Sequence, residues 1–493
     1  MSGKRPQQRQ AGGKGRSSRS NSTIPSKRPE NRKTFQVIQW IFILLSFSLI
    51  VWLGKILIVD REDITASDYN PLTEEKMAEV RRGAILSADG KLLAYTDVAE
   101  DGSEIRRYPY GEAAAHVVGY IGRGQSGLEA ILSGVLMEPS TLISQLQSWA
   151  SEEKVQGCNV QTTLDIDLQN YIYEQLGDFQ GAVVISEPST GKILTLVSNP
   201  SFDPEAIVDD WETIINDERG PLYARATMGL YPPGSTFKII TALAMYRNMP
   251  AWRGYSYDCD GELEIGEQII MCSDHRAHGY VEIEDAFAYS CNGFFGQAGI
   301  DMGWEALVGT ASYVKLGNDF DFILDQNASE VQLSETDVDS MVAQTAMGQG
   351  ETLVTPFAMN MLTCAIANDG VLYQPYLTQA VTDSKGNVLR SVDPLIWGTV
   401  MTRPEADFLE NLMKGVTEYG TAARLSGYPY EVYGKTGTAQ VGEDDDAHSW
   451  FTGYTVKDGK VDIAITVLVE KGAQMKEAVP LADAILAHFY GLQ

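Results

Sequence analysis

Basic residues are scarce for a chain of this size: 38 Lys and Arg stand against 66 Asp and Glu in 493 residues, for a formal net charge of −28. So acidic a protein repels a polyanion, which excludes nucleic acid as a partner. Histidine and cysteine are also scarce, five of each. No His-Glu-x-x-His segment occurs, so a zinc-protease module built on that motif is excluded. Gly191-Lys192 lacks the upstream glycine and the following Ser or Thr that a phosphate-binding loop needs. No tandem repeat is present. Apolar residues are ample: they make up 44% of the chain, enough for a packed core, and the length suggests two or three domains.

The few positive charges are unevenly placed. Residues 1–34 hold ten Lys and Arg against the single acid Glu30, leaving −37 for the rest. This stretch is rich in Ser, Gln, Gly and Pro and cannot bury a core, so it reads as a disordered basic tail. From Ile38 to Gly54 no residue is charged, and the apolar run continues past Lys55 to Val59. Roughly 20 apolar residues are long enough to span a bilayer. A buried core helix would show a polar face, and a cleaved signal peptide would have a shorter core and a small-x-small site. Here Val59-Asp60-Arg61-Glu62-Asp63 follows instead. The reading is an uncleaved anchor over residues 35–59, with the basic tail in the cytoplasm and the remainder outside the cell.

Residues 60–160 read as a linking region. Arg82 to Ala94 suggests two short strands around the Asp89-Gly90 turn. His116 reads as a structural histidine, and Leu142 to Trp149 as helical. From about residue 160 the pattern becomes α/β. Asp165 to Leu176 is helical, and segments 181–186 and 192–198 read as strands paired through the turn Pro188-Ser189-Thr190-Gly191.

The chemistry centres on Tyr231-Pro232-Pro233-Gly234-Ser235-Thr236-Phe237-Lys238. Two prolines and a glycine hold a turn that leads into a helix, with helical composition from Thr236 to Tyr246. Residues three apart share a helix face, so the Lys238 ammonium can reach the Ser235 hydroxyl. Serine becomes a nucleophile when a base takes its proton, and a lysine can act so if burial or nearby positive charge depresses its pKa. Alone, Ser-x-x-Lys is equally an N-capping serine followed by a surface lysine. Two further segments change the weight of the evidence. Tyr289-Ser290-Cys291-Asn292-Gly293 follows a helical stretch. Tyr433-Gly434-Lys435-Thr436-Gly437-Thr438 starts a strand, turn and strand, in which the glycines let a ligand lie close to the backbone.

Together, Ser235-x-x-Lys238, Ser290-x-Asn292 and Lys435-Thr436-Gly437 resemble the motif set of the penicillin-binding proteins and serine β-lactamases. Residues 161–493 resemble a penicillin-binding transpeptidase domain throughout, including Met347-Gly348-Gln349-Gly350 and Thr355-Pro356. Arg82-Gly83-x-Ile85 and the single anchor resemble class B, monofunctional members, although Ser87-Ala88-Asp89-Gly90 stands where the pattern usually has Asp-Arg-Asn-Gly. The resemblance implies an α/β (α+β) architecture: one N-terminal transmembrane helix, a small β-rich pedestal, and a transpeptidase domain with a central antiparallel sheet flanked by helices. In it the Ser235 helix would pack against one face and the Lys435 strand would edge the cleft.

The resemblance also implies peptidoglycan D,D-transpeptidation through a serine acyl-enzyme that β-lactams also form. Ser235 would attack the D-Ala–D-Ala carbonyl of a stem peptide, and a neighbouring amine would resolve the ester. Lys238 would be the general base and Ser290 a proton relay. Asn292 would hold Lys238 and the substrate peptide. Lys435 would keep Lys238 neutral and attract the terminal carboxylate, with Thr436, Gly437 and Thr438 binding substrate. The oxyanion would rest on the backbone N–H groups of Ser235 and Thr438. Neither metal nor cofactor is implied. Too few residues precede the pedestal for a glycosyltransferase, so a glycan polymerase of the SEDS family is the expected membrane partner.

The rivals are a D,D-carboxypeptidase, a β-lactamase or a non-catalytic scaffold of a wall-synthesis complex. A Glu-x-x-Leu-Asn motif, needed for a class A β-lactamase, is absent. Among the cysteines, Cys259 and Cys272 flank a hairpin-like stretch and are either a disulfide or two free thiols. Zinc on Cys259, Cys272, His275 and His278 is the disfavoured reading. Cys291 should point away from Ser235, Cys158 and Cys364 read as core residues, and Asn327-Ala328-Ser329 is taken as a chance glycosylation match.

Overall fold

The computed structural model describes residues 30–58, 80–139, 154–441, 447–472 and 477–492. Most of the basic tail, the start of the linking region up to residue 79 and the helix expected over Leu142–Trp149 lie outside them. The chain divides into two compact units, Met1–Ile64 and Thr65–Gln493.

The first unit is one 29-residue helix, Glu30–Ile58. It starts inside the segment read as a disordered tail, with an acidic residue at its N-terminus, where the helix dipole favours negative charge. Its apolar side chains are exposed all round, Phe35, Trp40, Phe42, Leu44 and Phe47 each by 65–74%. Among the described residues no helix is long and apolar enough to cross a membrane.

In the second unit the central sheet has five strands, all antiparallel, in the order Glu431–Gln440, Ala447–Lys457, Lys460–Val469, Gly181–Glu187, Lys192–Asn199. The hairpin expected from 181–198 is present, with Gly191 at φ 82° in its turn. The second strand in this order is buried over nine consecutive residues, so both sheet faces are covered. One cover is Pro356–Ala367, begun by the Thr355 hydroxyl, which accepts from Ala358 N–H at 3.0 Å. The other is the pair Ile166–Leu176 and Ala478–Phe489, which pack on each other as well as on the sheet. Each fully buried aliphatic side chain here contributes roughly 1.5–3 kcal/mol. The Lys435 strand, Glu431–Gln440, has a strand neighbour on one side only, so its outer backbone groups are not used by the sheet.

A second, six-stranded sheet has the order Val388–Ser391, Thr378–Thr382, Asn159–Thr162, Ile85–Leu86, Leu92–Val98, Glu104–Arg107. It takes strands from both ends of the unit's sequence. The Asp-Gly turn forms as expected, Ser87 N–H donating to Lys91 O at 2.9 Å with Gly90 at φ 87°. Beside it Glu129 is fully buried between two guanidiniums, Arg82 at 2.6 Å and Arg106 at 2.7 Å. Gly83 is required by close approach: a Cβ there would lie 1.8 Å from the Cys158 carbonyl.

Candidate active site

Pro233 and Gly234 lead into a 3-10 turn, Gly234–Phe237, and an α-helix then runs from Lys238 to Asn248. The body of this helix packs among other helices. Its 3-10 turn, rather than its length, is what meets the sheet, against the Lys435 strand. Three close approaches set that contact. Gly234, at φ 52°, would bring a Cβ to 2.6 Å from Thr438 O. A Cβ on Gly437 would come to 2.9 Å from Pro233 O, and one on Gly348 to 2.0 Å from Gly234 O. The Trp450 indole N–H also donates to Pro232 O at 3.0 Å.

Lys238 and Lys435 are both completely buried. Their ammonium groups lie near the Phe295 and Phe287 rings, at 5.6 and 5.5 Å from the centroids. Lys238 Nζ donates to Asn292 Oδ1 at 2.7 Å, to Ser290 O at 2.7 Å, and lies 3.1 Å from Ser290 Oγ. Lys435 Nζ reaches the same hydroxyl at 3.0 Å and Thr436 O at 3.2 Å. Ser290 therefore bridges the two lysines, from a backbone held at φ 60°. Asn292 is fixed from its other side, Nδ2 donating to Met271 O at 2.8 Å.

Burial pushes Lys238 down from its ordinary 10.5 to about 8. Lys435 is pushed well below its ordinary value, by burial first and then by the Lys238 charge. The sequence expectation has Lys435 holding the charge and Lys238 neutral; burial opposes the charge on both. Lys238 Nζ has two oxygen acceptors at 2.7 Å, whereas the contacts of Lys435 Nζ are at 3.0 and 3.2 Å.

Ser235 stands one turn before Lys238, half-buried at the mouth of this network. The hydrogen bonds from Lys238 go to Ser290 and Asn292 rather than to Ser235. A neutral amine that donates to Ser290 O and Asn292 Oδ1 keeps a lone pair free for a hydroxyl proton. The first N–H groups of a helix have no partner inside it, so the Ser235 N–H is open to a ligand. The carbonyl of Thr438 faces the turn, since it meets Gly234 and accepts from Gln349 Nε2 at 3.4 Å. A strand residue's N–H and C=O share an edge, so the Thr438 N–H faces the turn as well. Thr436 and Thr438 lie on the more exposed side of the strand, opposite Lys435. Thr421, on a loop with no motif of its own, hydrogen-bonds Thr436, hydroxyl to hydroxyl, at 2.7 Å.

A half-buried hydroxyl at a helix start, two buried lysines joined through a serine hydroxyl, and backbone N–H groups on the facing turn and strand edge are the parts that serine acyl transfer needs. Comparison with known proteins places the chain. The family model of the penicillin binding protein transpeptidase domain matches residues 181–489, and that of the penicillin binding protein A dimerisation domain matches residues 82–160. The chain belongs to the penicillin-binding protein transpeptidases, in their class B form. It is 30% identical over 435 residues to the peptidoglycan D,D-transpeptidase PbpA of Mycolicibacterium smegmatis, covering 81% of this chain and 85% of that protein. It is 26% identical over 459 residues to MrdA of Haemophilus influenzae, covering 78% and 69%. Among solved structures, penicillin-binding protein A from M. tuberculosis as a ceftriaxone acyl-enzyme superposes with TM-score 0.76 at 26% identity, covering 84% of this chain and 98% of that one. A D,D-transpeptidase domain from Eggerthella lenta gives 0.74 at 29% identity, covering 84% and 100%.

Proposed function

We propose that this enzyme cross-links peptidoglycan stem peptides through an acyl-enzyme on Ser235, and that β-lactams acylate the same oxygen. The observation that carries the reading is the pair of buried lysines joined through the Ser290 hydroxyl, directly behind a half-exposed serine at a helix start. Lys238, once neutral, takes the Ser235 proton as Oγ attacks the penultimate D-Ala carbonyl. The Ser235 and Thr438 N–H groups receive the oxyanion. Ser290 passes the proton to the departing D-Ala amine. The acceptor amine of a second strand then enters, gives up its proton along the same route, and releases Ser235. The substrate's terminal carboxylate lies on Thr436 and Thr438 beside Gly437, and its charge favours protonating Lys435. That moves positive charge off Lys238 and readies it as the base.

The site residues Ser235, Lys238, Ser290, Asn292 and Lys435 carry the chemistry in this reading. A fluorescent penicillin tests it. The wild-type chain should label covalently and Ser235→Ala should not. A labelled Ser235→Ala variant, or an unlabelled wild type, overturns the assignment.

The same reading places residues 35–59 in the membrane, 60–160 as the pedestal and 161–493 as the catalytic domain outside the cell. The support is the helix Glu30–Ile58, whose apolar side chains face outward on every side, and an apolar sequence run that extends beyond the described side chains to Val59. A SEDS-family polymerase, contacted through anchor and pedestal, would supply the glycan. Membrane fractionation of the full chain, with protease added outside the cell, checks the topology: the catalytic domain should be digested in intact spheroplasts.

A further inference from the structure

Three of the five cysteines and one histidine meet at a point the acyl-transfer mechanism does not use. Cys259, Cys272, Cys291 and His278 bring their donor atoms within 4.8 Å of one another. Cys259 Sγ is 3.7 Å from Cys272 Sγ and 3.5 Å from His278 Nδ1. A disulfide needs about 2.05 Å between sulfurs. A tetrahedron around zinc, with Zn–S near 2.3 Å and Zn–N near 2.0–2.1 Å, has S···S and S···N edges of about 3.8 and 3.6 Å. The two spacings from Cys259 match those edges, and the remaining donor atoms lie within 4.8 Å of one another. We propose that Cys259, Cys272, Cys291 and His278 form a structural zinc site that holds the Ser290–Asn292 turn.

The backbone supports a preformed site. Cys259 ends the strand Tyr257–Cys259, which pairs with Gly279–Val281, and His278 N–H donates to Cys259 O at 3.0 Å. Cys272 follows the hairpin Glu262–Ile265/Gln268–Met271, and its N–H donates to Gly261 O at 2.8 Å. Cys291 arrives from the opposite side, and its sulfur accepts from Phe294 N–H at 3.4 Å. All three thiols are buried. The polar residues of the hairpin, Glu264, Glu267 and Gln268, are exposed, whereas Cys259 and Cys272 at its base are buried. His275 is not a member: its ring is 65% exposed beside Glu262.

Binding is a ligand exchange with no redox step. Three thiols release their protons to solvent, and the three thiolates with neutral His278 Nδ1 replace the water around Zn²⁺. The consequence for the acyl-transfer site is positional. Cys291 sits between Ser290 and Asn292, and Asn292 is already tied to Met271 beside Cys272. Zinc would anchor both sides of this contact to one ion and hold Ser290 in its left-handed backbone conformation.

The test is metal content of the purified full chain, grown with zinc and without oxidant, read by plasma mass spectrometry. About one zinc per chain is expected, falling at least fivefold in Cys259→Ser and His278→Ala and unchanged in Cys158→Ser. Exchange of cobalt for zinc in the wild type should give a thiolate-to-cobalt charge-transfer band, a readout that needs no folded variant. Stripping zinc should slow penicillin acylation at least tenfold, with recovery on adding zinc back. A wild type that retains no zinc and gives no such band overturns the site, as does a Cys259–Cys272 disulfide found in the active protein. None of the metal readouts depends on Ser235 being acylated.

Discussion

Lys238 and Lys435 share a single hydroxyl: both nitrogens lie within 3.1 Å of Ser290 Oγ. Two buried cations around one oxygen cannot both keep their protons cheaply at neutral pH. Burial holds Lys238 down at about 8 and Lys435 well below its ordinary value, so the free site does not keep two full charges. The base form of Lys238 is then the minor form at pH 7 and grows as pH rises. The second-order rate of penicillin acylation should climb about tenfold from pH 6 to pH 7, in step with that fraction, and level off above about pH 8. Stopped-flow acylation across pH checks this. A rate that falls over the same range would mean that a protonated Lys238 is the working form. Lys238→Arg, which cannot lose its proton, should lower the rate by about 10²–10⁴ at every pH.

Gly437 tests the oxyanion geometry without touching a charged group. A methyl group there would meet Pro233 O at 2.9 Å and Thr236 Cγ2 at 3.0 Å. Relief requires the Ser235 turn and the Lys435 strand to part, which separates the two N–H donors. Gly437→Ala should therefore cost about 10²–10³ in acylation rate, the usual loss for one such donor, while the melting temperature moves little. An undiminished rate would show that the two N–H groups do not act together.

The three motifs and their chemistry were legible because each is local: Ser235 and Lys238 are one turn apart, and Lys435 to Thr438 lie on one strand. The hairpin of 181–198 and the helix ending at Leu176 were legible for the same reason: two apolar runs flank a Pro-Ser-Thr-Gly turn, and the helical stretch begins at Asp165, whose carboxylate accepts from Leu168 N–H at 3.1 Å. The six-stranded sheet was not. Its strands are two to seven residues long, too short for a period to show, and its neighbours come from segments more than 200 residues apart. Thr421 carried no signal, because only the fold brings it to Thr436. Neither did the lowered pKa of both lysines, since their burial is a property of the packed core. Three of the four clustered residues, Cys259, Cys272 and His278, were visible as a disfavoured zinc reading with His275; only the fold brings Cys291 to them in place of His275.

Glu129 is the test of the pedestal. It accepts from Arg82 and Arg106 with no access to water. Removing its carboxylate leaves two buried guanidiniums without a counter-ion, though with other hydrogen-bond partners, a change that costs about 3–5 kcal/mol. Glu129→Ala should lose that much stability to urea unfolding followed at the pedestal. Penicillin acylation of the surviving folded protein should stay near wild type, because none of the acylation residues contacts this triad. A loss under about 1 kcal/mol would mean that water enters and solvates the arginines.

His116 makes the last test, because its effect has a predictable sign. Its Nε2 lies 2.8 Å from Pro221 O and its Nδ1 3.3 Å from Ser201 Oγ, with Phe202 packed edge-on against the ring. Nε2–H donates to the carbonyl, and the Ser201 hydroxyl beside Nδ1 donates to Glu112 O at 2.7 Å. Burial holds the folded pKa down at about 4, against 6.5 for a free ring. The unfolded chain therefore binds a proton near pH 6.5 that the folded chain refuses until about pH 4. Between these values the unfolded state binds more protons, so stability falls as pH falls, by on the order of 2–3 kcal/mol over the whole window. Above pH 6.5 the group contributes no slope. Urea unfolding at pH 4.5 and pH 7.5 should show this loss in the wild type, and His116→Gln, which can keep a donor toward Pro221 but has no proton to take up, should show a loss smaller by about that amount. Equal losses in the two proteins would mean that His116 is protonated in the fold.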